Sequence, residues 1–235
     1  MTSRHSTGSS RLFKLYPGTH YDGLIVRYPY DTDSRLEYCF ADAADRLAST
    51  YQGLPNDDSI LYPWLYLYRH AIELALKESI RLAARLRRNN GELDESLEAD
   101  TVRERLRIKH RHSIGALVNE LNGHLIALDQ PQLPKDTRKM LTTLATADPT
   151  GEAFRYSGSL PDEQDAVDFY QLTDAVKKAY GITSATYDML DHYASLQADW
   201  LEDMHSMHAD FDAEMRAEYE AEMRAEYEAG MREYY

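Results

Sequence analysis

Hydrophobic residues recur at steps of three and four along the stretch beginning at Leu61. Leu61, Trp64, Leu65, Tyr68, Ile72, Leu76, Ile80, Ala83 and Leu86 follow the spacing of an amphipathic helix. Leu67, Ala71 and Leu74 widen the apolar arc, and only a narrow polar stripe remains: Arg69, His70, Glu73, Lys77, Arg81 and Arg88. A helix buried over most of its circumference lies centrally in a bundle. Pro63 suits the first turn, where its missing N–H costs nothing. Ser59, or the Asp57-Asp58 pair, is the expected cap. The helix is expected to end near Asn89-Asn90-Gly91, where glycine closes helices.

Weaker versions of the same pattern flank it. Ser34 reads as a cap for a helix to about Tyr51, and Gly53-Leu54-Pro55-Asn56-Asp57 as a turn. Residues 91–101 are acidic and poorly periodic, a loop or short helical excursion. Helices are expected from Ser113 to about Leu128, from Lys135 to Ala147 and from Asp165 to Tyr180, the last broken by Gly181. A final long helix begins near Thr183/Ser184 and carries Tyr187, Leu190, Tyr193, Leu196, Trp200, Met204, Met207, Phe211 and Met215. Gly23 to Tyr28 reads as a short strand or an extended segment, and Pro29 argues against a central strand. The whole reads as an all-α chain: an N-terminal arm (1–34), a helical bundle (35–182) and a long C-terminal helix (183–235).

That last helix ends in a repeat. Ala213-Glu214-Met215-Arg216-Ala217-Glu218-Tyr219-Glu220 recurs unchanged at 221–228. Its Met and Tyr positions fall four apart, so they drift about 40° per step around a 3.6-residue helix and hold no long straight seam. From Trp200 to Tyr235 there are 11 acidic residues against 3 Arg, which supplies −8 of the chain's formal net charge of −14. This acidic balance argues against broad adhesion to nucleic acid or anionic membrane. Two local basic clusters run the other way: Arg81, Arg85, Arg87 and Arg88, and Arg103, Arg105, Arg107, Lys109 and Arg111. The acidic helix is a fraying extension or a tail that binds a second protein.

No apolar run reaches the ~18–20 residues that span a bilayer, so no membrane partner is expected. Met1 to Arg11 is polar and Ser-rich, unlike a secretory signal. With Cys39 as the single cysteine, no internal disulfide framework exists and a reducing, cytoplasmic location is expected.

Three groups of residues are candidates for chemistry. Arg-x4-His occurs twice in the basic run, as Arg105 with His110 and Arg107 with His112. Guanidinium donors beside an imidazole suit general acid–base work on a phosphodiester without a metal; a solvated basic face is the plainer reading. Glu202-x-x-His205 is half of a di-iron signature, but no second pair accompanies it, so no metal or other cofactor is expected. The third group is the stripe Arg69, His70, Glu73 and Lys77 with His112 or His110 and Arg155. It reads as a binding cleft, or as a solvated seam of i,i+4 ion pairs. No phosphate-binding Gly loop, nucleophile elbow or zinc spacing appears.

Tyr66-Leu67-Tyr68-Arg69-His70-Ala71-Ile72-Glu73-Leu74-Ala75-Leu76-Lys77 resembles the Arg-His-x-x-Glu-Leu-x-Leu-Lys helix of bacterial HEPN-like helical proteins. His112-Ser113-Ile114-Gly115-Ala116-Leu117 is similar to a helix start that often follows it, and Phe154-Arg155-Tyr156 to a Phe-Arg-Tyr segment in such proteins. The likeness covers roughly residues 35–180. It implies a HEPN-like bundle acting as a homodimer, in some members a metal-independent endoribonuclease of toxin or phage-defence systems, in others non-catalytic. It further implies an Arg-x4-6-His signature in a cleft between two protomers. By that resemblance His112 or His110 is the acid/base, Arg105 or Arg107 with Arg69 meets the phosphate, and His70, Glu73, Lys77, Arg155 and Tyr156 line the RNA-binding cleft. In the signature a polar residue usually follows the Arg. Here Leu106 and Ile108 stand in that place, so the non-catalytic module, acting through dimerisation and the acidic tail, is the alternative.

Overall fold

The computed structural model describes residues 34–155 and 166–232. Over those residues the chain is all-α, without a strand. Six helices follow in order: α1 (Ser34–Ala48), α2 (Leu61–Asn89), α3 (Ala99–Glu104), α4 (Ile114–Ala127), α5 (Lys135–Ala147) and α6 (Phe169–Arg232). The expected N-terminal arm up to Asp33, with its short Gly23–Tyr28 segment, lies outside the described residues, and so does Tyr156.

The apolar arc of α2 makes it the central element. It packs against α1, α4, α6 and the short α3, while α5 closes the far side against α4 and α6. Trp64, Tyr68, Ile72, Leu76, Ile80 and Leu86 are fully buried, facing Leu117, Leu121 and Leu125 of α4 and Val176 and Leu190 of α6. At roughly 1.5–3 kcal/mol for each large side chain removed from water, this one helix supplies a major share of the burial energy.

Both ends of α2 follow local chemistry. A 3-10 turn over Pro55–Ile60 leads straight into it, and the Leu61 N–H donates to the Asp58 carbonyl. The expected side-chain cap is absent, because that turn already meets the need for acceptors. Asp57 instead accepts from the Gln52 and Leu54 N–H groups and closes the preceding turn. Gly91 ends the helix at φ +94°, a conformation that favours glycine.

The break expected at Gly181 does not occur. Helix α6 runs unbroken for 64 residues, about 96 Å at 1.5 Å per residue. A lone exposed glycine costs a helix only about 1 kcal/mol. The burial of Val176, Ala179, Thr183, Ser184 and Leu190 on either side outweighs it, and Thr183 Oγ1 donates to the Ala179 carbonyl across the position.

Between α3 and α4 the chain forms a π-helical turn over Arg105–His110 and then turns sharply at Arg111, where φ is +46°. A non-glycine residue there carries strain of order 1–3 kcal/mol. The turn sets His112 just before the Ser113 cap of α4, whose Oγ accepts from the Ala116 N–H.

One carboxylate is buried where α1 meets α6. Glu37 is 2% exposed and accepts a hydrogen bond from Ser184 Oγ at 2.9 Å. Burial pushes its pKa up to about 7; Asp188 adds to the rise, and hydrogen bonds with Ser184 and Tyr180 oppose it. A raised folded pKa means a contribution that is complete below the ordinary value of 4.5 and is lost as pH climbs through about 7. Glu37→Gln cannot ionise, so its melting temperature relative to wild type should rise between about pH 5 and pH 8. Thermal denaturation followed by circular dichroism checks this; a pH-independent difference refutes it.

Candidate functional site

The polar stripe of α2 is not a solvated seam. Arg69 and Glu73 are 3% and 2% exposed. Asp148, just after α5, is 1% exposed and joins them. Helical spacing sets the first contacts: Arg69 and Lys77 stand one turn on either side of Glu73. Arg69 Nη1 donates to Glu73 Oε2 at 3.1 Å, and Lys77 Nζ to Glu73 Oε1 at 2.6 Å. The other contacts are tertiary. Arg69 Nε lies 2.7 Å from Asp148 Oδ2 as an ion pair, and Arg69 Nη2 donates to the carbonyls of His112 (2.5 Å) and Asp148 (3.3 Å).

His112 completes the group. Its Nδ1 lies 3.0 and 3.2 Å from the two Glu73 oxygens, while half of the side chain is open to solvent. Burial works against ionisation of Glu73, but Lys77, His112 and Arg69 outweigh it and hold its pKa below the ordinary carboxylate value. An ionised carboxylate only accepts hydrogen bonds, so Nδ1 of His112 carries the proton. In neutral His112 the other ring nitrogen, Nε2, then keeps its lone pair and can act as a base.

A tight turn presses on this group. Asp148 Oδ1 accepts from the Glu152 and Ala153 N–H groups, and Gly151 sits at φ +81°. A methyl group on Gly151 would lie 2.8 Å from His112 Cβ and 3.1 Å from Arg69 Nη1. The Gly151 carbonyl accepts from Nε of the exposed Arg155, whose guanidinium lies 5.8 Å from the Tyr66 ring centroid. Arg155 is thereby tied to the turn whose Gly151 packs against His112.

His70 serves packing. Phe40 meets its ring edge-on at 4.4 Å and Tyr66 stacks parallel at 6.0 Å. Burial pushes its pKa down against the pull of Glu73, and Lys77, Arg69 and His112 push it the same way as burial. It stays neutral at neutral pH.

The structure divides the two Arg-x4-His pairs. Arg105 grips Glu120 through Nε (3.0 Å) and Nη2 (2.8 Å) and donates through Nη1 to the Ser96 carbonyl. His110 also bonds Glu120, and His124 Nε2 approaches it at 3.5 Å. Burial resists ionisation of Glu120; His124, Arg105 and His110 overcome it and drive its pKa far down. This second cluster ties the π-helical turn to α4, and its Arg105 and His110 donors are occupied. Arg107 is exposed and pairs with Glu104 at 2.9 Å. Thus Arg69, Glu73, Lys77 and His112 meet, and Arg155 is bonded to the Gly151 turn that packs on them, whereas Arg105 and His110 belong to the Glu120 cluster and Arg107 to the surface.

Asp148, Gly151 and Glu120 emerged only with the fold. The Asp148-Pro149-Thr150-Gly151 turn was the available signal for the first two, since Asp and Gly are what such turns require. No grouping of His, Cys, Asp and Glu suited to a metal is found among the described residues. In comparisons with known proteins, no family model, curated sequence or solved structure matches the chain.

Replacing Glu73 by Gln takes away the counter-charge of Lys77 and leaves Arg69 with Asp148 alone. A loss of about 3–5 kcal/mol is expected at neutral pH. Because the folded pKa of Glu73 lies below its ordinary 4.5, its contribution is present above that value and fades as pH falls through the folded value. The gap between wild type and variant in urea denaturation should therefore shrink in acid. Gly151→Ala, forced into a left-handed conformation against His112, should cost about 1–3 kcal/mol in the same assay; wild-type stability would contradict the geometry.

Proposed function

We propose that this chain is a HEPN-like, cytoplasmic, metal-independent endoribonuclease or RNase-like effector of a toxin or phage-defence system, acting as a homodimer. One observation carries the reading: a half-exposed histidine whose Nδ1 is fixed by a buried, ionised glutamate. A carboxylate that orients an imidazole and leaves Nε2 free is the arrangement of a general base. In the proposed reaction Nε2 of His112 takes the proton of a ribose 2′-hydroxyl. The 2′ oxygen attacks the adjacent phosphorus, the 5′ oxygen leaves and takes a proton from water, and the proton held on His112 Nε2 returns to solvent. The products are a 2′,3′-cyclic phosphate and a 5′-hydroxyl end, so the balance needs no oxidant or co-reactant.

Roles within the stripe follow from burial. Arg69 is enclosed and its donors face Glu73, Asp148 and the His112 carbonyl, so it positions His112 and does not touch phosphate. Lys77 holds Glu73. Arg155, exposed beside Gly151, is the cation placed to meet the phosphate. Arg105, Arg107 and His110 have no part in the proposed chemistry.

A second reading is favoured by the exposed apolar face of the distal α6: a non-catalytic module that recognises another protein through that helix. Incubation of total RNA with the purified chain and excess chelator separates the two. Cleavage should occur, and His112→Ala should lower it by about 10²–10⁴-fold, while His110→Ala, if folded by circular dichroism, retains it. Absence of cleavage by wild type, or equal cleavage by His112→Ala, refutes the enzyme.

A further inference from the structure

Among the described residues the distal half of α6 has no neighbour. Its last buried anchor is Gln197, which donates to the Leu86 carbonyl and Asn90 Oδ1 and accepts from Asn89 Nδ2. Beyond it some 50 Å of helix projects from the bundle, at 1.5 Å per residue. This arm exposes half or more of Trp200, Met207, Phe211, Met215, Tyr219 and Met223. A helix with so much apolar surface and strong negative charge gains stability from a partner that covers both.

The same chain carries a surface of the opposite character. A groove of about 420 Å³ lies along the C-terminal half of α2, with Leu82, Leu97, Val102 and Tyr187 along its floor. Arg81, Arg85, Arg88 and Arg103 stand around it against Glu78 and Glu98. Among the described residues Arg85 makes no ion pair and is exposed. The groove continues the α2 stripe beyond Lys77.

We infer that the acidic arm of one copy docks its Met/Tyr face into this Arg-rimmed groove of a second copy, reciprocally, as a closed dimer. The arm cannot fill its own groove. It leaves the bundle at Gln197 beside the groove's end, and between Gln197 and Arg232 no turn interrupts the helix to double it back. Pairing of two bare arms is opposed by charge, since each carries a net −8 from Trp200 onward. Placing Glu218 and Glu222 near the Arg rim removes that repulsion, while Tyr219 and Met223 meet the apolar floor. The drifting four-residue stripe suits this contact as well: it supplies a short patch for a groove where a long coiled coil would need a continuous seam. The inference stands whether or not His112 is catalytic, and a result that moves the interface elsewhere leaves the RNA-cleavage test untouched.

Charge exchange between two full-length variants tests it. Arg85→Glu/Arg103→Glu makes the groove acidic, and Glu218→Arg/Glu222→Arg makes the arm basic. All four positions are exposed, and circular dichroism verifies folding. By analytical ultracentrifugation the wild type should be a dimer that weakens as salt rises. Each variant alone should bind itself at least about tenfold more weakly, and an equimolar mixture should restore the dimer, since both contacts are then complementary. A monomeric wild type, variants that dimerise like wild type, or a mixture no tighter than its components would each overturn the inference. Tight association of either single variant would place the interface elsewhere.

Discussion

Burial of the Glu73 carboxylate is the constraint on which this structure turns. An isolated ionised group at that depth would be unaffordable. It persists because Lys77 and Arg69 approach from the same helix and His112 from the start of α4. Arg69 in turn demands Asp148, and Asp148 organises the turn after α5. A single buried charge thus specifies how α2, α4 and the segment following α5 sit together. Such a cluster contributes more to uniqueness than to net stability, since well-packed apolar residues would stabilise a bundle at least as well.

The same arrangement yields chemistry as a consequence. Fixing Glu73 fixes the tautomer of His112, and the strained turn at Arg111 brings that ring to the surface. The Glu120 cluster shows that a similar composition can have a purely structural outcome. There the histidines and Arg105 are drawn inward around one carboxylate, and Arg105 and His110 spend their contacts on Glu120. Two Arg-x4-His pairs of equal appearance in the sequence therefore differ completely in what they can do.

Much of the bundle was legible in the residues. The wide apolar arc of α2, the limits of α5 and the glycine stop at Gly91 follow from periodicity and turn chemistry, which are local. The error at Gly181 has a physical cause. Glycine weakens a helix by about 1 kcal/mol, and burial of residues on both sides, unknown in advance, exceeds that. The stripe Arg69, His70, Glu73 and Lys77 stood out as polar residues on an apolar helix. Whether it faced water, a cleft or the interior depended on Asp148, 79 residues beyond Arg69, which has no local tie to it.

The sequence by itself determined the all-α class, the central place of α2 and the acidic repeat that ends α6, because spacing and composition act over one or two turns. Only the tertiary structure decided that Glu73 is buried, that His112 rather than His110 keeps an open ring edge, and that among the described residues the last half of α6 keeps its apolar face exposed. Those outcomes depend on which charges meet across elements far apart in the chain. Coulomb attraction and desolvation are set by distance in space, and spacing along the chain does not supply it.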